Sequence, residues 1–444
     1  MKIKQYPQYK KSELHWFSEI PGGWSDHKIK FILERPVTDG PHETPEFIDE
    51  GVPFLSVDSI QDGEIVFEGC RCISEEDYQK YKIKCNPKKN DLFMGKAASI
   101  GKIARVKVDF PFSIWSPLAL LRPNKRITPR FFEYALKSDY SQDQIDIFST
   151  SNTQKNISMD DIPRIQLLMP NNVKEQNKIT LFLDSKTQYL EKTIEKDKQL
   201  IELMKERRNS LIDKCVKEGL MKTKLEDSKI EWLGKIPSNY QVNRLKFLVS
   251  KINSGLTPTG GSTVYVDEGI PFLRSQNIHF NELRLDNVVY IPEDMHKTML
   301  NSVTKKNDVL INITGASIGR CAFVSNEFEK ANVNQHVCII RTKKTHYKFL
   351  SYFLMSKIGQ DQVFSLQMGS SREGLNFEQL GNFIVITPPK PEQEEIVKYL
   401  DEETSKIDNI IKKIEEKIIL MEEYKKSMIH HVVTGKVDVR GVEI

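Results

Sequence analysis

The chain has 444 residues, a formal net charge of +4 and six cysteines. That length accommodates about two to four ordinary domains, and the small charge excludes a histone-like basic protein. No segment approaches the roughly 20 apolar residues of a membrane span or resembles a signal peptide, and no Cys-x-x-Cys pair occurs, so we expect a cytoplasmic protein without membrane contact, disulfides or a zinc site.

The chain contains the same ordered series of sequence motifs twice. The paired segments are Asp49–Leu55 with Asp267–Leu273, Lys88–Asp91 with Lys305–Asp308, and Ala98–Lys102 with Ala316–Arg320. Each pair is separated by 217 or 218 residues, which is far longer than the roughly 20 to 50 residues of a solenoid repeat. The spacing indicates duplication of a whole domain together with its connector.

Each half opens with an aromatic and proline block, at Trp16–Pro21 and at Trp232–Pro237. Short β-rich runs then alternate with Gly, Asn, Asp and Thr turns, and helical stretches are fewer. Tyr347–Met355 is the clearest short helix. This pattern predicts two α+β globular domains, over residues 1–172 and 221–389.

A long helical segment follows each domain, at residues 173–220 and 390–444, the second with a short C-terminal tail. Apolar residues recur at alternating steps of three and four, which is typical of a coiled-coil seam. The predicted seam residues are Leu183, Leu190, Ile194, Ile201, Met204, Leu211, Leu400, Ile407, Ile411, Ile414, Ile418, Met421 and Met428. The alternative is that each helix packs only on its own domain.

The order of segments constrains how the two helices pair. Pro391 suits the first turn of the second helix, and Gly219 and Gly435 lie where the helices are expected to stop. The first helix carries the chain between the domains, and the second buries its apolar stripe by returning along the first. We therefore predict two similar domains separated by two long antiparallel helices, related by a pseudo-two-fold internal repeat.

Catalytic signatures are missing from the sequence. There is no Gly-x-x-x-x-Gly-Lys-Ser/Thr phosphate loop and no Gly-x-Gly-x-x-Gly turn. Thr387–Lys390 lacks the Asn or Asp and the aromatic residue of an amino-methyltransferase loop. The adjacent His430 and His431 favour a solvated helix face over a metal site, and Cys70, Cys72 and Cys85 form a chance cluster. We predict no catalytic residue, no metal and no bound cofactor.

Polar residues concentrate in the loops between the β-like runs. Arg, Lys, Asn, Gln, Ser and Thr bond to base edges and phosphates, although such residues are also common in ordinary turns. The loops differ between halves: Asp58-Ser59 stands opposite Gln276-Asn277, and Ser113–Ser116 opposite Ala331–Asn334. The candidate DNA-binding residues are Thr38, His42, Lys96, Ser99, Lys102, Thr153, Lys155, Thr257, Thr259, Arg274, Gln276, Asn277, Thr314, Ser317, Arg320, Gln335, His336, Ser371 and Arg372.

Together these features resemble the specificity subunit of a type I restriction–modification system. The resemblance covers nearly the whole chain and rests on the order of the duplicated motifs, their coupling to two long helices, and the Pro391-Glu-Gln-Glu-Glu-Ile helix start. Ala97 opposite Gly315 and the weaker helix start at Asn171 are departures in the first half.

The resemblance implies a non-catalytic subunit with two target-recognition domains, each of which recognises half of a bipartite, asymmetric sequence in double-stranded DNA. The helices would set the unspecified spacer. Two methyltransferase subunits would bring S-adenosylmethionine, and restriction/translocase subunits would bring ATP and Mg²⁺. The near-neutral charge fits partners that supply much of the phosphate contact.

Other functions remain open on the sequence alone. They are a non-catalytic coiled-coil scaffold, a stand-alone DNA-binding protein without restriction partners, and a fused methyltransferase-nuclease, which the missing S-adenosylmethionine loop disfavours.

Overall fold

The computed structural model describes residues 4–12, 17–151, 155–258, 260–325, 330–366 and 374–442. The chain divides into two compact units: unit 1 is Met1–Asp197 with Glu415–Ile444, and unit 2 is Lys198–Ile414. The divisions fall inside the two long helices, so each unit contains one globular part and a portion of both helices. Within the described ranges, no helix is long and apolar enough to cross a membrane.

The globular part of unit 1 contains fifteen short strands and three helices among its described residues. The strands are β1 Tyr9–Lys11, β2 Glu19–Pro21, β3 Trp24–Lys28, β4 Thr38–Asp39, β5 Val52–Leu55, β6 Ile60–Gln61, β7 Glu64–Ile65, β8 Arg71–Ile73, β9 Leu92–Gly95, β10 Ile103–Arg105, β11 Ser113–Ile114, β12 Leu118–Leu121, β13 Thr150–Ser151, β14 Lys155–Asn156 and β15 Gln166–Pro170. The helices are α1 Glu75–Lys82, α2 Pro129–Lys137 and α3 Asp139–Phe148.

Two sheets organise the core of unit 1. The four-stranded sheet has the order β10-β9-β12-β4 and is antiparallel, and β9 and β12 are buried along their whole length. The three-stranded sheet has the order β11-β5-β8, with β11 parallel to β5. Strands buried on both faces account for the continuous apolar run Leu118–Leu121.

The first long helix, α4, spans Val173–Glu218 and begins with a polar anchor to the globular part. Gln176 is fully buried; its side-chain oxygen accepts from the Thr128 amide at 2.8 Å, and its nitrogen donates to the Pro170 carbonyl at 3.0 Å. Glu175 accepts from the Trp24 indole at 3.0 Å. These bonds fix the start of the helix on the globular part of unit 1.

The globular part of unit 2 contains thirteen strands and four helices among its described residues. The strands are β16 Leu225–Asp227, β17 Lys235–Pro237, β18 Gln241–Arg244, β19 Val249–Ser254, β20 Ile270–Leu273, β21 Ile278–His279, β22 Glu282–Leu283, β23 Val289–Ile291, β24 Val309–Asn312, β25 Cys321–Phe323, β26 Asn332–Val333, β27 Val337–Thr342 and β28 Ile384–Thr387. The helices are α5 Glu293–Thr298, α6 Tyr347–Met355, α7 Lys357–Ser365 and α8 Phe377–Gly381.

The sheets of unit 2 repeat those of unit 1. The four-stranded sheet β25-β24-β27-β19 matches β10-β9-β12-β4 strand for strand, and β26-β20-β23 matches β11-β5-β8, including the parallel pair. The second long helix, α9, spans Lys390–Val433, and its Gln393 repeats the anchor of Gln176 by bonding His346 at 2.8 Å and Pro388 at 2.8 Å. The predicted duplication of an α+β domain followed by a long helix is confirmed.

The repeated Lys-Lys-Asn-Asp motif forms the same tight turn in both units. Asn90 and Asn307 have left-handed backbones, with φ of 75° and 69°. The following aspartates, Asp91 and Asp308, are buried and cap the turn by accepting from the amides of Lys88 at 2.8 Å and Lys305 at 2.7 Å. Asn tolerates this conformation better than most residues, and a short carboxylate reaches the turn amide, so the motif recurs for structural reasons.

The two long helices run antiparallel within each unit. In unit 1, Asp197 pairs with Lys417 at 2.8 Å and Glu191 with Lys425 at 3.2 Å. Residue numbers therefore decrease along α4 as they increase along the neighbouring α9. In unit 2, Arg208 of α4 donates to Asp408 of α9 at 2.9 Å.

The predicted seam residues are all buried or half-buried. The buried ones are Leu183, Leu190, Ile194, Ile201, Leu400, Ile407, Ile418 and Met428, and the half-buried ones are Met204, Leu211, Ile411, Ile414 and Met421. The first turns of each helix also pack on the globular part, since Leu183 belongs to the core cluster of unit 1 and Leu400 to that of unit 2. Both packing modes therefore occur, at different places along each helix.

Candidate nucleic-acid interface

In unit 2, three loops meet at one end of the four-stranded sheet. They are residues 255–258 after β19, residues 313–320 between β24 and β25, and residues 334–336 between β26 and β27. Gly255 donates to the Asn334 carbonyl at 3.1 Å. A Cβ at Gly255 would lie 1.6 Å from the Val333 carbonyl oxygen, so only glycine allows the first loop to cross the third.

Four of the candidate residues form one hydrogen-bonded row across these loops. The Thr257 hydroxyl bonds to the side-chain oxygen of Gln335, and the Gln335 nitrogen lies 3.0 Å from Nε2 of His336. Nδ1 of His336 bonds to the Thr314 hydroxyl. Thr257 and Gln335 are exposed, whereas His336 and Thr314 are half-buried. The bond between Thr257 and Gln335 alone joins residues 78 positions apart in the sequence.

The other described candidates of unit 2 are not part of this row. Gln276 is exposed, and Arg274 donates to the Asn287 carbonyl at 3.0 Å. Asn277 is buried and bonds the Arg274 amide at 3.0 Å and the Arg284 carbonyl at 2.8 Å, so its polar groups are used inside the domain.

The half-buried pair Ser317 and Arg320 lies on the loop between β24 and β25. Ser317 accepts from Asn312 at 3.1 Å. Burial lowers the pKa of His279, and the positive charges of the neighbouring Arg284 and Arg320 lower it further. Two arginine side chains therefore lie near His279 at this edge of unit 2.

The equivalent end of unit 1 carries different chemistry on the same framework. A Cβ at Gly40 would lie 1.7 Å from the Ile114 carbonyl oxygen, which repeats the close approach at Gly255. Beside Gly40, the buried Asp39 accepts from Lys96 at 2.7 Å and Lys84 at 2.5 Å, and lies 3.2 Å from His42.

The ion pairs of Asp39 limit how far Lys84 and Lys96 are available to bind DNA. Burial acts to raise the pKa of Asp39, but the hydrogen bonds and charges of Lys84 and Lys96 outweigh it and lower the pKa overall. Lys96 is itself buried, so its ammonium neutralises Asp39 inside the domain and is not displayed on the surface. His42 is exposed.

The other unit 1 candidates are closer to the surface. Lys102 and Lys155 are exposed; Lys102 donates to the Ile60 carbonyl at 3.1 Å and Lys155 pairs with Asp146 at 2.7 Å. Ser99 and Thr38 are half-buried. Four further candidates, Thr153, Thr259, Ser371 and Arg372, lie outside the described residues, as does Trp16 of the opening block.

Strand pairing corrects the alignment of the two loop sets by one residue. Phe54 pairs with Ser113, and its counterpart Phe272 pairs with Asn332, so Ser113–Pro117 corresponds to Asn332–His336 and not to a segment beginning at Ala331. Likewise the isolated bridges of Ala97 and Thr314 are equivalent, so Ala97 stands opposite Thr314 and not Gly315. A constant offset of 218 hides these one-residue shifts.

The family model for the type I restriction modification DNA specificity domain matches residues 36–203 and 237–419, which together are well over half of the chain. The chain belongs to this family. Specificity subunits are non-catalytic and recognise a DNA target, so the predictions of a DNA-recognition function and of no enzymatic activity are confirmed. In the described part of the structure, no group of three or more His, Cys, Asp or Glu side chains could hold a metal.

Curated relatives agree with this membership. The MjaX protein of Methanocaldococcus jannaschii, a putative type I restriction enzyme specificity subunit, is 25% identical and aligns over 97% of both chains. The MjaVIII specificity subunit of the same organism is also 25% identical, over 54% of this chain and 56% of its own length. The EcoBI specificity subunit of Escherichia coli is 26% identical, over 74% and 72%.

Solved structures show the fold. A chain from a structure concerning complex assembly and conformational transition of the type I restriction–modification system has a TM-score of 0.70 at 14% identity, covering 94% of this chain and 99% of that one. The HsdS subunit from Thermoanaerobacter tengcongensis has a TM-score of 0.52 at 14% identity, covering 94% and 98%. The assignment of individual DNA contacts in this specificity subunit stays a prediction.

Proposed function

We propose that this specificity subunit recognises a bipartite, asymmetric sequence in double-stranded DNA, with one half-site bound at the loop-bearing sheet end of each unit. The observation that carries the proposal is a shared framework with unlike side chains. Gly40 and Gly255 place the loops identically, but the loop in unit 1 carries the exposed His42 beside the Asp39–Lys84 ion pair, whereas the loops in unit 2 present Thr257 and Gln335. Different donors and acceptors on one framework select different bases.

The proposal extends to the partners of the subunit. Two methyltransferase subunits would carry S-adenosylmethionine and methylate adenine N6 after base flipping, and restriction/translocase subunits would use ATP and Mg²⁺. This chain would bind no cofactor itself, and the complex would act in the cytoplasm. The net charge of only +4 supports a shared interface, because phosphate contacts dominate affinity for DNA and partners would supply many of them.

Exchange of one domain tests the proposal. Residues 1–172 are replaced by the corresponding domain of a relative with a different target, and the chain is expressed with its methyltransferase. Sequencing of N6-methyladenine should show that one half of the two-part motif changes and the other half stays. A change in both halves, or in neither, would contradict separate recognition by the two units.

Salt dependence distinguishes DNA recognition from a scaffold role. The affinity of the methyltransferase complex for a duplex carrying its motif should fall steeply between 50 and 200 mM salt, by about 10³-fold or more if at least six phosphates are contacted. Binding that is absent or insensitive to salt would favour the scaffold.

A further inference from the structure

Gln335 is an exposed side chain that is nonetheless held from both sides. Thr257 bonds its oxygen, and His336 lies 3.0 Å from its nitrogen. A glutamine on a loop ordinarily loses much rotamer freedom when it binds a partner. Here three loops restrain the amide within the unit itself, so that loss is reduced before DNA is bound.

The row also sets the direction in which the amide points. Because the Gln335 nitrogen donates, Nε2 of His336 must accept, and the ring proton must lie on Nδ1. The Thr314 hydroxyl oxygen then accepts a hydrogen bond from Nδ1–H of His336. The backbone of His336 is also held, since its amide donates to the Asn334 side chain at 3.1 Å and its carbonyl accepts from the Ile313 amide at 2.9 Å.

The carboxamide of Gln335 keeps one donor and one acceptor position after these bonds, because its nitrogen has two hydrogens and its oxygen two lone pairs. An adjacent donor and acceptor match N7 and the N6 amino group of adenine in the major groove. We propose that Gln335 recognises one adenine in the half-site of unit 2, and that His336, supported by Thr314, is a positioning residue that fixes the amide direction. This inference rests on the proposed function.

Unit 1 provides an internal contrast. The positions equivalent to Gln335, His336 and Thr314 hold Ser116, Pro117 and Ala97, none of which has a side-chain carboxamide or an imidazole ring. The hydrogen-bonded row is therefore not needed to form the loop framework, because unit 1 has the same framework without the row. Its presence in unit 2 alone favours a role in specificity over a role in folding.

The test uses the full chain with its methyltransferase, and the readout is the N6-methyladenine motif. Gln335→Glu replaces the donor with a second acceptor, which suits the cytosine N4 amino group, so preference at one position of one half-site should move from adenine toward cytosine by roughly 10- to 100-fold. Gln241→Glu, at an exposed glutamine on β18 of the same unit, makes the same charge change and should leave the motif unaltered.

Three further variants test the positioning role. Thr314→Val and His336→Phe should relax base preference at that same position, because the amide can reverse, whereas Thr314→Ser should retain it. Loss of thermal stability without a change in base preference would make the row structural and overturn the inference. An unchanged motif with Gln335→Glu would also overturn it while leaving the proposed function intact. A wild-type complex with no two-part motif would instead contradict the proposed function itself.

Discussion

Asp308 is a buried carboxylate whose partners come from two separate parts of unit 2. It accepts the turn amide of Lys305 and two bonds from the Arg341 guanidinium, at 2.7 and 2.6 Å. The hydrogen bonds that Arg341 donates to Asp308 raise the pKa of Arg341. Asp91 and Arg122 form the same two-bond pair in unit 1. A buried charge pair of this kind is costly to break, because removal of one partner leaves the other unpaired.

We therefore expect Arg341→Met to destabilise unit 2 by about 3–5 kcal/mol. The matched control is Arg284→Met, since Arg284 and Glu282 pair at 3.0 Å with more than half of each side chain exposed. Exposed pairs contribute at most about 1 kcal/mol. Urea unfolding followed by circular dichroism measures the free energy of unfolding of both variants. Equal decreases for Arg341→Met and Arg284→Met would contradict the argument.

The lowered pKa of Asp39 predicts how unit 1 responds to acid. A carboxyl group whose pKa falls on folding stabilises the folded state fully above its unfolded pKa, which is about 3.9, and this contribution is lost as pH falls through the folded value. Asp39→Asn should therefore lower the free energy of unfolding near pH 7, and the gap from wild type should narrow below about pH 4.

The control for this acid response is Asp109→Asn, because Asp109 pairs with Lys89 at an exposed site. Its effect on stability should be small at every pH. A gap for Asp39→Asn that stays constant down to pH 3 would show that the ion pairs of Asp39 do not govern the response.

At the scale of elements, the end of α4 depends on the conformation of one glycine. Gly219 has φ of +74°, and its amide donates to the Cys215 carbonyl at 3.1 Å. A Cβ there would lie 2.4 Å from the Tyr240 hydroxyl and 2.6 Å from a Glu392 carboxylate oxygen. Glycine is thus needed both for the left-handed helix end and for the close approach of the anchor that starts α9.

Alanine substitution at two glycines separates these requirements. Gly234 has φ of +68° with nothing within 4 Å of a Cβ, so Gly234→Ala incurs only the backbone cost of about 1–2 kcal/mol. Gly219→Ala should cost about 1–3 kcal/mol more, because it also displaces Tyr240 or Glu392. Thermal unfolding of the two variants gives the difference, and identical melting temperatures would exclude the steric contribution.

Elements were predictable from sequence where the signal is local. The helix predicted over Tyr347–Met355 coincides with α6, and the repeated segment Asp267–Leu273 contains β20, because apolar periodicity and turn residues mark both. The candidate site was less predictable because burial depends on distant partners. From the sequence, Lys96 resembles a surface cation, but in the structure it is paired with the buried Asp39. Nothing in the neighbouring sequence shows that Asn277 bonds across a hairpin to the Arg284 carbonyl.

At the scale of the whole molecule, the residues that recur in both halves and the residues that differ between them have different roles. The recurring residues form turns and helix anchors, whereas the loops at the sheet ends carry different residues in the two units. Sequence alone identified this division, and it missed the one-residue shifts because strand pairing, which the motifs do not encode, determines which loop residues correspond. The two long helices, of 46 and 44 residues, are the elements common to both units.

We propose that these helices set the spacer between half-sites. Insertion of seven residues into each helix, after Asp197 and after Ile414, preserves the alternating seam because seven residues form one heptad. The added rise is about 10 Å, or about three base pairs of DNA. The methylated motif should then keep both half-sites and gain a longer spacer. Insertion into one helix alone shifts the seam out of register and should abolish recognition, whereas an unchanged spacer after the double insertion would contradict the proposal.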